Sequence, residues 1–310
     1  MSTKKRKPVS KINSGESSQE SNPQSKERVK PAPPVISYRR IIIRTVLIVG
    51  SLILIRYYTE KDGFESFAPN TRQSRKLVAD IPCSKDYDDD RKVFTECAPK
   101  KCGRIVMDNV VSEEEAKNML KIAQRGLLRG GSSGGASILD LHSGALSQGE
   151  QFVNIYKLME REKILTEDDF KIYTNVKNKI RNAIAQHFEI PVSSLYLTKP
   201  TFFSRMIDRP AKTIHDEYWH PHVDKKTYGS FHYTSLLYLS TYEKNFKGGR
   251  FVFIDKQVNR TVEPLMGRLS FFTSGAENVH FVEKVTEGTR YAVTVSFTCD
   301  PSQAISDPKL

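Results

Sequence analysis

The chain has 310 residues, 38% of them apolar and 27% charged, with a formal net charge of +12. That is enough for one sizeable domain with appendages, and most of it reads as soluble and globular. The charge sits at one end. Residues 1–40 hold ten Lys and Arg against Glu16, Glu20 and Glu27, and Arg44 and Arg56 follow. Residues 59–310 keep only +3, which argues against a polyanion-binding catalytic domain, and no nucleic-acid motif is present.

Residues 1–37 are rich in Lys, Ser, Glu and Pro and almost free of aromatics. They bury too little apolar surface to offset chain entropy, so a disordered basic cytosolic tail is expected. Residues 38–58 read as a transmembrane signal anchor. The apolar run 41–55 covers about 22 Å and residues 38–59 about 33 Å, at 1.5 Å per helical residue. Arg44 and Arg56 would then reach toward the two surfaces, with Tyr57 and Tyr58 in the interface. A cleaved signal would start near Met1 and end in a small-residue site, and neither feature is present. Arg39, Arg40 and the basic N-terminus favour an N-terminus-inside orientation. A single-pass type II protein of the endoplasmic reticulum or secretory pathway follows, with one helix in the membrane and a luminal catalytic domain. Asn259, in Asn259-Arg260-Thr261, is its glycosylation candidate.

Residues 59–80 read as a stem linker and 81–194 as a cysteine-bearing, helical support region. Cys83, Cys97, Cys102 and Cys299 all follow the apolar run, which suits one or two disulfides in an oxidising lumen; three full pairings are open. Zinc is disfavoured, because Cys97 and Cys102 have no second close pair. Asp88, Asp89 and Asp90 could mimic the metal–nucleotide motif of a luminal glycosyltransferase, but no Rossmann-like pattern surrounds them. Ser112 and Glu115 form a capping-box signature before a helix whose Ala116, Met119, Leu120 and Ala123 share a face, and Val111 can staple onto Ala116. A Gly/Ser-rich loop over 130–137 lacks the Gly-Lys-Ser/Thr of a phosphate loop. Residues 130–147 are either a connection or a lid with Asp140 or His142 near substrate. A second helix is expected from about Thr166 to Phe188, with Tyr173, Val176, Ile180 and Ile184 at helical spacing and Pro191 beyond it.

From Leu195 the pattern changes. Short Val-, Ile-, Phe-, Tyr- and Thr-rich segments at 195–206, 232–241, 250–255, 268–273 and 290–298 alternate with turns, the signature of a β-sandwich or barrel. Residues 195–300 are the expected catalytic domain and 301–310 a tail. The fold class is mainly β with flanking helices, α+β.

The chemistry gathers in that last third. His222 and Asp224 lie two apart, which places them on one face of a strand, and His280 follows 56 residues later. Two imidazoles and one carboxylate on one face of an octahedron leave three open positions, the set used by non-haem Fe(II) oxygenases, although zinc hydrolases use similar ligands. Arg290 stands ten residues after His280 at the start of the last strand. Its guanidinium can clamp a distal carboxylate in a bidentate pair. Thr294, Ser296 and Tyr238 are candidates for the same pocket. His220 is the rival ligand or a supporting residue, His215 and His232 read as surface or packing residues, and Tyr218 and Trp219 either shape a groove or belong to the core.

Residues 198–299 resemble the prolyl 4-hydroxylase-type Fe(II)/2-oxoglutarate-dependent oxygenases. The landmarks are His222-Val223-Asp224, Leu237-Tyr238-Leu239-Ser240, Gly248-Gly249-Arg250-Phe251, Glu263 to Arg268, Phe271-Phe272, His280 and Gly288-Thr289-Arg290-Tyr291-Ala292. A closer likeness to one membrane-anchored branch covers about residues 82–310, through Pro82-Cys83-Ser84, Lys101 to Arg104, Gly134 to Ser147 and Leu197 to Arg205. The resemblance implies a double-stranded β-helix, a jelly-roll or cupin-like core. It implies Fe(II) at His222, Asp224 and His280, 2-oxoglutarate as co-substrate at Arg290, dioxygen, and L-ascorbate in support. It implies hydroxylation of a protein or peptide side chain (prolyl, lysyl or asparaginyl) or of a small molecule, with 2-oxoglutarate decarboxylated to succinate. Collagen-type members carry Lys where this chain has Arg290, which bears on substrate class more than on mechanism. A binding module that keeps the fold without turnover is the remaining alternative. Substrate and oligomeric state are not legible.

Overall fold

The computed structural model describes residues 38–59 and 63–309, in two compact units, Met1–Glu60 and Lys61–Leu310. In the first unit, helix α1 spans Tyr38–Thr59 and leaves its large apolar side chains from Ile41 to Ile55 exposed. It also carries Arg39, Arg40, Arg44 and Arg56. Among the described residues, no helix is long and apolar enough to cross a membrane. The transmembrane segment expected over 38–58 is therefore not supported, because each arginine at membrane depth costs about 3 kcal/mol or more. The tail over 1–37 and the side chains of Tyr57 and Tyr58 lie outside the described residues.

The second unit opens with β1 (Phe64–Ala68), β2 (Leu77–Ile81), a short helix α2 (Asp90–Val93) and β3 (Cys102–Met107). Helix α3 (Glu113–Leu127) leads to β4 (Gly131–Ser132), β5 (Ala136–Leu139), β6 (Ala145–Gly149) and β7 (Gln151–Asn154), then to helices α4 (Ile155–Met159) and α5 (Glu167–Phe188). The last third holds β8 (Tyr196–Ile207), α6 (Asp224–Tyr228), β9 (Tyr233–Tyr238), β10 (Phe246–Gly248), β11 (Phe251–Phe253) and β12 (Asn259–Val262). It closes with β13 (Leu269–Thr273), β14 (His280–Val282) and β15 (Val285–Thr298).

Two sheets face each other. The larger runs β2-β3-β13-β9-β15-β8-β5-β6-β4, and the smaller runs β1-β12-β11-β14. Period-2 alternation sorts each central strand between two cores. Ile105, Leu237, Phe271 and Val293 point outward to the apolar faces of α3 and α5. Their neighbours Val106, Leu236, Phe272 and Ala292 point inward against Phe251, Phe253 and Val262 of the smaller sheet. Strands covered on both faces read as continuous apolar runs. This is the mainly β, helix-flanked architecture of a jelly roll.

Both expected helices form. Ser112 Oγ accepts from the Glu115 amide at 3.1 Å while Glu115 Oε2 accepts from the Ser112 amide at 2.9 Å, and Thr166 with Asp169 repeats the motif on α5. Glu115 also pairs with Lys179 at 2.7 Å, which ties the two helices together. The expected stem, 59–80, instead contains β1 and β2, half-buried edge strands. β1 pairs in parallel with β12, and β2 lies antiparallel to β3. A buried Arg268 anchors this region: it grips Asp108 with two 2.8 Å contacts and donates to the carbonyls of Ala68, Pro69, Thr71 and Glu263. The support region and the tail also join the same unit: β3 lies inside the larger sheet, and Lys177 pairs with Asp307. Two disulfides form, Cys83–Cys102 and Cys97–Cys299, the second spanning 202 residues.

Candidate metal centre and active site

His222 and His280 face each other across an isolated antiparallel bridge. Each donates its backbone N–H to the other's carbonyl, at 2.9 and 3.1 Å. Their ring centroids are 4.4 Å apart. His280 opens β14, whereas His222 lies outside any strand. Asp224 begins α6 rather than continuing a strand, so the expected strand geometry holds only through extended Val223, at φ −120° and ψ 120°. One extended residue is enough to turn both side chains the same way. Asp224 Oδ1 lies 3.5 Å from His222 Nε2 and 3.6 Å from His280 Nε2. The three candidate ligand atoms all lie within 4.8 Å of one another.

The surroundings fix which atoms face that point. His222 Nδ1 sits 3.1 Å from the His220 carbonyl, and His280 Nδ1 sits 2.9 Å from the Asn278 carbonyl. A carbonyl only accepts, so both Nδ1 atoms carry the proton and both Nε2 lone pairs are free to ligate. Asp224 Oδ2 accepts from Thr234 Oγ1 at 2.6 Å, and Thr234 in turn contacts Ser274 at 2.8 Å, leaving Oδ1 for the cluster. His280 is stacked on Phe251 and edged by Phe272. Behind it, buried Arg104 bonds Asn278 Oδ1 at 3.1 Å and pairs with Asp255 at 2.8 Å, which holds the Asn278 carbonyl in place.

Burial depresses the His280 imidazolium, against the pull of the Asp224 charge. Burial also pushes Asp224 upward, but the charge of His280 and the bonds to His222 and Thr234 outweigh it, so the carboxyl stays below its ordinary range and ionised. For His222, burial pulls down and the Asp224 hydrogen bond and charge pull up more strongly. Such a set suits a divalent cation: a carboxylate and two imidazole Nε2 atoms turned to one point.

Arg290 lies in the middle of β15, not at the start of the last strand, because β15 begins at Val285 to pair with β10. It is 1% exposed, and burial lowers its pKa. Nε donates to the Gly249 carbonyl at 2.9 Å, and Nη1 faces Met206 Sδ at 3.6 Å. Nη2 has no hydrogen-bond partner among the described residues. The Tyr238 ring lies 5.5 Å from the guanidinium carbon; its hydroxyl, pushed up to about 12 by burial, stays protonated and makes no hydrogen bond of normal geometry there. A buried cation with an unused donor fits a ligand carboxylate.

One cavity of about 530 Å3 contains both ends of this arrangement, with His222, Asp224 and His280 at one part of its lining and Arg290 and Thr294 at another. Leu236, Phe251 and Val282 form apolar wall between them. Neither Ser296 nor Tyr238 lines it. His220 turns its ring to Glu217 at 2.8 Å and contributes only its carbonyl to His222. His215 and Tyr218 line the cavity, while His232 is buried near Tyr87 and Phe94. Of the 130–147 loop, Ala136, Ser137 and Ile138 reach the cavity. Asp140 and His142 do not: His142 bonds Tyr173 and the Ser306 carbonyl, and Asp140 bonds Ser143. The acidic run is spent on cations, Asp88 on Arg91, Asp89 on Lys92 and Asp90 on Lys225. Asn259 is half-buried on β12. Thr234, Arg104 and Asp216 are not legible from sequence, since only the fold brings them to the site.

The family model of the 2OG-Fe(II) oxygenase superfamily matches residues 210–298, which hold all three cluster residues and Arg290. The chain belongs to this superfamily, and it is a 2-oxoglutarate-dependent dioxygenase using Fe(II) and dioxygen. It is 61% identical over 280 residues to the 2-oxoglutarate and iron-dependent oxygenase domain-containing protein 3 of Xenopus tropicalis, covering 88% of each chain. The human protein of that name is 57% identical over 231 residues, 74% of this chain and 72% of its own. More distantly, prolyl 3-hydroxylase 2 of Gallus gallus is 25% identical over 251 residues, 75% of this chain and 35% of its own.

Proposed function

We propose that this enzyme hydroxylates a side chain of a protein or peptide, with His222, Asp224 and His280 holding Fe(II) and Arg290 holding the distal carboxylate of 2-oxoglutarate. The observation that carries the reading is the unused Nη2 of a fully buried Arg290 in the same cavity as the three ligand atoms. Iron, when bound, supplies the activation of dioxygen that couples loss of CO2 from 2-oxoglutarate to oxidation of a C–H bond. The chain's own residues do the rest. The His220 and Asn278 carbonyls aim the imidazoles, Thr234 fixes the carboxylate, and Gly249 orients the guanidinium fork. Leu236, Phe251 and Val282 line the same cavity with apolar surface.

A protein or peptide substrate is supported by the prolyl 3-hydroxylases among the relatives and by a cavity walled largely by apolar side chains. Two disulfides favour an oxidising compartment such as the lumen of the secretory pathway. Ascorbate is the expected reductant for enzymes of this chemistry.

The test is direct. Purified chain supplied with Fe(II) and ascorbate should retain iron and convert 2-oxoglutarate to succinate, and His280→Ala should do neither. Comparing the proteomes of cells with and without the chain should then reveal residues that gain one oxygen atom. Wild-type protein that neither binds iron nor consumes 2-oxoglutarate sinks the proposal.

A further inference from the structure

Two chain segments flank the cavity away from Arg290. Ala136 and Ile138 line it from β5, and Ile214, Glu217 and Tyr218 line it from the long connection between β8 and α6. These segments meet at one side chain. Asp216 is 1% exposed, and its two oxygens serve different partners. Oδ1 accepts from Ser132 Oγ at 2.6 Å and from the Ala136 amide at 3.3 Å. Oδ2 accepts from the Lys212 amide at 3.1 Å, the Thr213 amide at 2.9 Å and Thr213 Oγ1 at 3.1 Å. Gly134 backs onto the carboxylate so closely that a Cβ there would stand 2.3 Å from it. Burial pushes the Asp216 carboxyl up, but the bonds from Ser132, Thr213, Lys212 and Ala136 outweigh that, so it is held ionised. The Gly/Ser-rich turn is thus small enough to let a carboxylate from 80 residues away dock into it.

The outer edge of these walls carries exposed apolar side chains among polar ones. Ile214 is 80% exposed, and Phe152, 49% exposed, lies 6.1 Å from the His215 ring. Bulky apolar groups at the mouth suit a chain laid across it better than a small polar metabolite enclosed by it.

We infer that Asp216 is a positioning residue that joins the two walls and sets the gap through which a polypeptide substrate reaches the metal ligands. This rests on the cavity being the oxygenase site, yet its test needs no turnover. Trp219, the only tryptophan, lies three residues beyond Asp216, with Lys284 Nζ 3.9 Å from its ring, and reports on the wall. Asp216→Asn keeps the shape but turns one acceptor into a donor, so one of the two segments loses its partner. Gly134→Ala pushes the Asp216 carboxylate away from the turn without adding or removing a charge.

In the full chain, both variants should raise acrylamide quenching of Trp219 about twofold or more. Amide exchange should speed up about tenfold over 132–136 and 212–217 together, the factor one buried charge-assisted hydrogen bond is worth. Amides of β9 and β13 should stay protected. Should Asp216→Asn fail to fold, Ser132→Ala, which removes the Ser132 hydroxyl's bonds to Asp216 and to the Gly134 amide, is read the same way. Unchanged quenching and exchange overturn the inference. So does acceleration confined to 212–213, which would make Asp216 a local cap, or acceleration that includes β9 and β13, which would make it a general stabiliser. The visible charge-transfer band of wild-type chain with Fe(II) and 2-oxoglutarate is recorded separately: its absence counts against the oxygenase site and leaves the latch result standing.

Discussion

Arg290→Ala is the substitution that most directly interrogates the co-substrate end of the cavity. The guanidinium spends Nε on the Gly249 carbonyl and leaves Nη2 unused, with Nη1 against a methionine sulfur. Two N–H groups are therefore available to a carboxylate. Each charge-assisted bond in such a setting is worth about 1.5–3 kcal/mol, so losing both costs about 3–6 kcal/mol of binding. At 1.36 kcal/mol per decade, the dissociation constant for 2-oxoglutarate should rise by about 10²- to 10⁴-fold. The Gly249 carbonyl also loses its partner, at about 1–3 kcal/mol of folding stability, so a melting temperature lower by several degrees accompanies the loss. Arg290→Lys keeps a charge but not the fork and should fall between the two. The assay is an anaerobic titration of 2-oxoglutarate into Fe(II)-loaded protein, with iron content measured alongside. A dissociation constant within about threefold of wild type, or a variant that no longer holds iron, would refute the assignment.

Thr234→Val removes the 2.6 Å bond to Asp224 Oδ2 without changing shape and should weaken metal binding about tenfold by competition titration; an unchanged affinity would mean that Oδ2 needs no such anchor. Replacing Cys97 and Cys299 together by Ser releases a 202-residue loop and should cost up to about 5 kcal/mol in urea unfolding. Arg268→Met leaves the buried Asp108 carboxylate without its counter-ion, with only the Gln73 amide bonded to it, and should destabilise by about 3–5 kcal/mol, part of which Asp108→Leu in the same chain restores; full stability in the single variant would dispose of this account.

The site is legible in the sequence where chemistry dictates residue types. His222, Asp224 and His280 are residue types that a metal recruits, and the fold brings them together, with Arg290 lining the same cavity. The two long helices are legible because their signals are local: the Ser112 and Glu115 cap for α3, and the helical spacing of Tyr173, Val176, Ile180 and Ile184 for α5. The edge strands are not. Phe64 pairs with Asn259, nearly two hundred residues on, and a half-exposed charged strand with so remote a partner looks like a linker. The early start of β15 is hidden for the same reason, since it depends on β10 lying alongside. Asp216 carries no local mark either, because the partners that give it a role include a turn 80 residues earlier. The segment at 38–59 is helical as its pattern suggests, but its arginines tell against the span its apolar residues imply.

The bridge between His222 and His280 has a thermodynamic corollary. The 208–223 segment is fastened to the body by few backbone bonds, and the two at its end involve the very residues turned toward the metal position. An ion that binds only the fastened arrangement draws the segment down by mass action, by about 1.4 kcal/mol for each tenfold excess over its dissociation constant. Loading the centre and closing the wall beside it are thus linked equilibria, and a protease that nicks this segment in the metal-free protein should be slowed in proportion to occupancy.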